Sequence, residues 1–157
     1  MADSPRSLVR VVVPVYRELT PDEESSLRNN VRVLAAWPFT VLYPRGVMPP
    51  ACCRELGLET RAVGDEWLGR RNGIAGYNRM MLSEEFYASF PDTEYILICH
   101  TDAWIFRDEL GDWCRRGYDC VAAPWLRRPL YDLPLVKQYM PWRERMKHRR
   151  GEASRQV

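Results

Sequence analysis

A chain of 157 residues that is 46% hydrophobic can bury one core and is too short for two ordinary domains. Its net charge of +2 excludes no class of partner. The basic side chains are nonetheless lopsided, since Lys stands only at 137 and 147 and the rest are Arg. Arg forks suit phosphate and carboxylate, and a compositional bias explains the usage equally well.

The apolar run Val11 to Val13 near the N-terminus is far shorter than a signal-peptide core or a membrane span, so a soluble, cytoplasmic protein is expected. Five cysteines without any CxxC spacing argue against structural zinc and against a disulfide framework. Cys99 and Cys120 read instead as small core hydrophobes.

In chain order, Val9 to Val15 is a nearly unbroken β-branched strand of the kind covered on both faces, and Pro14 suits the point where pairing stops. Thr20, Pro21 and Glu23 announce a helix with a capping box, and Leu27, Val31 and Leu34 share one face of it. Trp37-Pro38 should stop it. Phe39 to Tyr43 reads as a second strand. Pro44-Arg45-Gly46 reads as a turn, leading through Pro49-Pro50 into a short helix ended by Gly57. Leu58 to Val63 reads as a weaker third strand.

Gly64 to Gly76 reads as a polar, Gly- and Arg-rich loop of a length that is usually functional or disordered. A helix is then expected from about Tyr77 to Phe90, with Leu82, Phe86 and Phe90 on one face and a restart at Ser83. Tyr95 to Cys99 reads as a buried strand running into His100-Thr101-Asp102. Asp108 should cap a last helix with Leu110, Trp113 and Cys114 inward, Gly117 should end it, and Asp119 to Ala123 reads as a final strand. Such alternation predicts an α/β fold, a mostly parallel sheet with crossover helices. Residues 1–8 are expected to be a disordered tail, 9–126 the α/β domain, and 127–157 a basic, irregular to helical extension.

Three constellations carry candidate chemistry. Asp102 at a strand end is a candidate ligand for Mg²⁺ or Mn²⁺, which are often held by one or two carboxylates while phosphate and water complete the shell. His100, on the same side of an extended chain, could bind a ribose or sugar hydroxyl, with Thr101 between them. On spacing alone the plainer alternative stands, that Asp102 begins a turn and His100 is a hydrogen-bonded core histidine. Tyr77-Asn78-Arg79 lies where the polar loop enters a helix, an arrangement that favours anions, although taken locally Arg79 suits a pairing with Glu84 or another surface carboxylate better. Pro14, Val15, Tyr16 and Arg17 leave the first strand at the sheet's ligand edge, where backbone groups could read a base and Tyr16 could stack on it.

No GxGxxG, P-loop, serine elbow or HExxH accompanies them, and the sequence singles out no catalytic base. The cluster Arg143, Arg145, Lys147, Arg149 and Arg150 suits a solvated helix face better than a nucleic-acid contact.

Several blocks together resemble a known family: Tyr77-Asn78-Arg79-Met80-Met81-Leu82, Glu94 to Ile98 leading to Asp102-Ala103 and Phe106, Trp113 with Gly117-Tyr118-Asp119, and Ala122-Ala123-Pro124-Trp125. They resemble an uncharacterised glycosyltransferase-like family classed as a domain of unknown function, over about Val9 to Val157. The resemblance implies a GT-A-like, Rossmann-type fold that moves a sugar from a nucleotide diphosphate sugar to an unknown acceptor.

It implies that Asp102 is the last acid of an Asp-x-Asp element holding a divalent cation, with His100 in place of the first. Pro14 to Arg17 would cradle the nucleoside, and Asn78 with Arg79 would face the donor. Members continue into a Gly-Asn-Gly-Gly segment and a second half, so a sheet incomplete at its C-terminus and a chain holding only the donor-binding part are expected. The alternative from another class is a non-catalytic α/β module that engages nucleic acid or protein through its basic C-terminal segment. Nucleic acid is the weaker expectation.

Overall fold

The structure is a computed structural model and describes residues 7–68 and 72–122. The chain divides into two units, Met1–Tyr118 and Asp119–Val157. Of the second, residues 119–122 are described and run without regular structure, so the final strand read over Asp119 to Ala123 is absent from them. The basic cluster from Arg143 to Arg150 and the Ala123-Pro124-Trp125 block lie outside the described residues, as do residues 1–6 of the expected tail.

In the first unit, β1 (Ser7–Pro14), β2 (Phe39–Pro44), β3 (Glu59–Val63) and β4 (Thr93–Ile98) form one sheet in the order β3-β2-β1-β4, every pair parallel. Helices α1 (Pro21–Val33) and α2 (Ala51–Glu55) connect the first three strands. Helices α3 (Asp65–Leu68), α4 (Gly73–Met81) and α5 (Glu84–Ala88) lie between β3 and β4, and α6 (Leu110–Arg115) follows. This is a Rossmann-type α/β fold, as the alternating pattern predicts.

β1 sits in the middle, and alternation along a strand explains its nearly continuous apolar sequence. Val11 and Val13 face a core cluster with Leu27 of α1, Leu34 at its C-cap, and Cys52 and Cys53 of α2. Val12 faces a second cluster with Leu42, Met80, Phe86 and Phe90. β4 lies at the edge of the described sheet, so Tyr95 to Ile98 are only half-buried instead of buried as their sequence implies.

α1 begins as its sequence dictates. Thr20 accepts from the Glu23 N–H, Glu23 reaches back to the Thr20 N–H, and Pro21 occupies the first turn. It ends at Val33, four residues before Trp37, because the chain turns at Leu34 and no longer needs Pro38 to stop it. α2 is stopped by Gly57 at φ +64°, a backbone state that glycine enters freely.

The segment from Gly64 departs most from expectation, for it contains α3 and the start of α4. The two helices meet at Gly76, where a Cβ would lie 2.7 Å from the Glu66 carbonyl oxygen and 2.9 Å from that of Trp67. Glycine there is a contact surface and not a loop signal. The expected restart at Ser83 is present, its hydroxyl accepting from the Phe86 N–H. That break turns Leu82 outward, 88% exposed, while Phe86 and Phe90 stay buried. In α6, Leu110 packs on the core, but Trp113 is partly exposed with Arg116 stacked 4.3 Å from its ring. Cys99 is buried as read, whereas Cys120 is exposed.

Candidate functional site

In an open parallel sheet the crevice for ligands lies beyond the carboxyl ends of the strands, where successive connections leave in opposite directions. Here the chain moves outward from β1 through β2 to β3 and returns to β4 on the other side of β1, so that point is between β1 and β4. The segments that leave these two strands, Pro14 to Arg17 and Cys99 to Asp102, are the two read from sequence as candidates.

Pro14 closes β1, and the Val15 N–H is spent on the Leu42 carbonyl at 2.8 Å. Since Pro14 has no N–H, the backbone donors left to read a ligand in this segment are those of Tyr16 and Arg17. Tyr16 stands half-exposed with its ring edge-on to Tyr77, centroids 6.2 Å apart. The Tyr77 ring meets His100 at 5.5 Å, and its hydroxyl is 2.9 Å from His100 Nε2. Desolvation pushes the Tyr16 phenol up to about 12, helped by Tyr77, and desolvation also raises Tyr77. Both phenols stay protonated, and Tyr77 donates to Nε2 when the ring carries its proton on Nδ1. Three rings from three elements thus line one crevice.

α4 corrects the expectation for its neighbours. The helix starts at Gly73, so Tyr77 lies a full turn inside it and its N–H is not among the free ones at the terminus. At 100° per residue, Arg79 sits about 200° around the helix from Tyr77. Tyr77 reaches the crevice, whereas Asn78 and Arg79 are exposed and make no side-chain hydrogen bond or ion pair among the described residues. They are not brought into the ring cluster.

β4 ends at Ile98, four residues before Asp102. The Ala103 N–H bonds the His100 carbonyl at 3.1 Å, closing a tight turn over Thr101 and Asp102. The turn replaces the extended chain that would have put His100 and Asp102 on one side. His100 joins Tyr77 and is exposed, not a core histidine. Asp102 is exposed on the wall of a separate cavity of about 340 Å³, which it shares with Asp22, Ser25, Thr101 and Trp104.

Glu23 connects the pieces. Besides capping α1, it forms a two-pronged ion pair with Arg17, Nη1 to Oε2 at 2.8 Å and Nη2 to Oε1 at 3.0 Å, and accepts from the Thr101 hydroxyl at 3.4 Å. The Arg17 hydrogen bonds, with that from the Thr20 N–H, bring the Glu23 carboxyl down to about 2. Arg17 is raised in turn.

α1 also holds the segment after Asp102. Ser26 Oγ and Asn30 Nδ2 donate to the Ala103 carbonyl at 2.6 and 2.7 Å, and Asn30 Oδ1 accepts from the Ile105 N–H at 2.9 Å. Asn29 donates to the Ile105 carbonyl at 2.8 Å. Asn30, Glu23 and Trp104 escape a sequence reading. The one available signal is Asn30 itself, a polar residue on the helix face that carries Leu27 and Leu34.

Among the described residues no group of three or more His, Cys, Asp or Glu is placed to hold a metal ion. Asp102 is the one carboxylate of the expected pair, and His100 Nε2 is engaged with Tyr77. Such a donor set fits only a hard cation whose shell is completed by ligand phosphate and water. No helix among the described residues is long and apolar enough to cross a membrane.

Comparison with known proteins gives one family. The model described as "Protein of unknown function (DUF5672)" matches residues 57–153, more than half of the chain and narrower than the span from Val9 expected of the resemblance. No curated protein and no solved structure matches the chain.

Proposed function

Because the chain belongs to that family of unknown function, its own residues must carry the reading, and we propose that it is the donor-binding part of a GT-A-like glycosyltransferase. The observation that supports this is the convergence of Tyr16, Tyr77 and His100 beyond the carboxyl ends of β1 and β4 in a sheet of order β3-β2-β1-β4, with Asp102 in the turn that follows. In this reading a nucleobase stacks on Tyr16 and takes backbone contacts from the segment after Pro14. Tyr77 holds the His100 ring so that a ribose or sugar hydroxyl can bond it.

Arg17 offers a fork to the diphosphate, which must compete with the Glu23 carboxylate already seated there. Asp102 would hold a Mn²⁺ or Mg²⁺ carried in with the diphosphate, and the cation would neutralise charge on the departing group. The substrate class is thus a nucleotide diphosphate sugar.

Calorimetric titration with UDP- and GDP-sugars in the presence of Mn²⁺ tests the reading. Saturable heat that weakens about ten-fold or more in Asp102→Ala is expected, in line with the loss of a charged contact. Absence of heat with every donor removes the reading, and heat unchanged in Asp102→Ala removes the metal role.

A further inference from the structure

The cavity beside Asp102 lies away from the ring cluster, and its chemistry differs from that of a phosphate site. Its about 340 Å³ falls within the ~300–1,000 Å³ typical of small-molecule sites. One wall is the Trp104 indole, 49% exposed. The rest of the lining is Asp22, Glu23, Ser25 and Ser26 from the start of α1, with Thr101 and Asp102.

Of the polar groups here, three are already committed, Thr101 by its hydrogen bond to Glu23. Glu23 is neutralised by Arg17, and Ser26 donates to Ala103. The side chains of Asp22, Ser25 and Asp102 make no hydrogen bond or ion pair among the described residues, and Asn29 and Asn30 anchor the backbone on both sides of Trp104.

We propose that this cavity binds a neutral sugar ring, stacked on Trp104 and hydrogen-bonded through its hydroxyls to Asp22, Ser25 and Asp102. Two unpaired carboxylates repel an anion, and the acidic first turn of α1 cancels the attraction a helix N-terminus has for one. Carboxylates and hydroxyls accept from the vicinal hydroxyls of a saccharide, and the apolar C–H face of its ring matches an indole. An organic ammonium ion is the competing fit for carboxylates beside an indole, but its recognition is strongest where several aromatic faces enclose it, and this cavity has one aromatic side chain and three hydroxyl side chains. The proposal shares Asp102 with the donor reading and does not depend on it.

Saturation-transfer NMR on the whole protein, with glucose, galactose, mannose and N-acetylglucosamine as probes and no nucleotide, tests it. Transfer to the C–H protons of at least one sugar is expected, with affinity weakened about five-fold or more in Trp104→Ala and in Asp22→Asn. Trp104→Phe, which keeps a ring, should restore binding and so separate lost stacking from lost structure.

No transfer from any of the four sugars overturns the proposal. So does transfer that Trp104→Ala and Asp22→Asn leave unchanged, or tetramethylammonium displacing every sugar at lower concentration. Nucleoside diphosphates titrated separately keep the two readings apart. Their binding without sugar binding removes this proposal alone, and sugar binding without theirs supports it while removing the donor reading.

Discussion

Glu23 has four hydrogen-bonding partners: the Thr20 backbone, both terminal nitrogens of Arg17, and Thr101. Its carboxyl is held down at about 2 against an ordinary value of 4.5, so the folded state favours the ionised form. The stabilisation is therefore complete above about 4.5 and is lost as the pH falls toward 2. Denaturant midpoints of the wild type and Glu23→Gln, measured from pH 7 to pH 2, should differ most at neutral pH and converge through that window. A gap independent of pH would show that the carboxylate's charge is not what stabilises.

Asn30 makes a second prediction at this scale. Asn30→Ala leaves the Ile105 N–H without its acceptor, and the Ala103 carbonyl keeps only Ser26. A loss of ~1–3 kcal/mol is expected, with faster amide exchange at Ile105.

Among the elements, the contact between α3 and α4 rests on a missing side chain. Gly76→Ala puts a methyl against two backbone oxygens that cannot step aside as a flexible side chain would, and should cost ~1–3 kcal/mol, read as a lower unfolding midpoint. The same residue shows where sequence reading stops. Capping residues and β-branched runs act locally, so α1, β1 and β2 were legible from Thr20, Pro21, Glu23, Val9 to Val15 and Phe39 to Tyr43.

Gly76 reads as a loop residue because its role is set by the α3 backbone it packs on, whereas Gly73 opens α4 at φ +47°. Likewise Tyr77 was legible as a site residue, but its partner His100 and the turn that parts His100 from Asp102 depend on hydrogen bonds that no spacing reveals. Asn78 and Arg79 came along as neighbours in sequence, and the helix carries them away from the crevice.

For the molecule as a whole, the sheet separates two apolar layers and two unlike ends. Leu27 belongs to one layer and Phe86 to the other, and no buried residue is common to both clusters. Leu27→Ala should cost ~2–5 kcal/mol and Phe86→Ala ~3–5 kcal/mol. The double variant should equal their sum within ~0.5 kcal/mol in chemical denaturation. A clearly smaller loss would mean that the layers are coupled through β1.

The end opposite the crevice is closed by Arg10, buried with Thr40 of β2 and paired to Glu59 at the start of β3 and to Asp92 in the turn before β4. That charge pins the amino ends of the strands and leaves the carboxyl ends to present ligand groups. The indole of Trp37, just past α1, donates to Asp108 at 2.8 Å, while Ser26 and Asn30 grip the Trp104 segment from the same helix. Helix α1, about 20 Å long, thus ties the Trp37–Asp108 contact to the Trp104 segment, so a ligand settling beside Trp104 should shift Trp37 emission, read with the other tryptophans except Trp104 replaced by Phe.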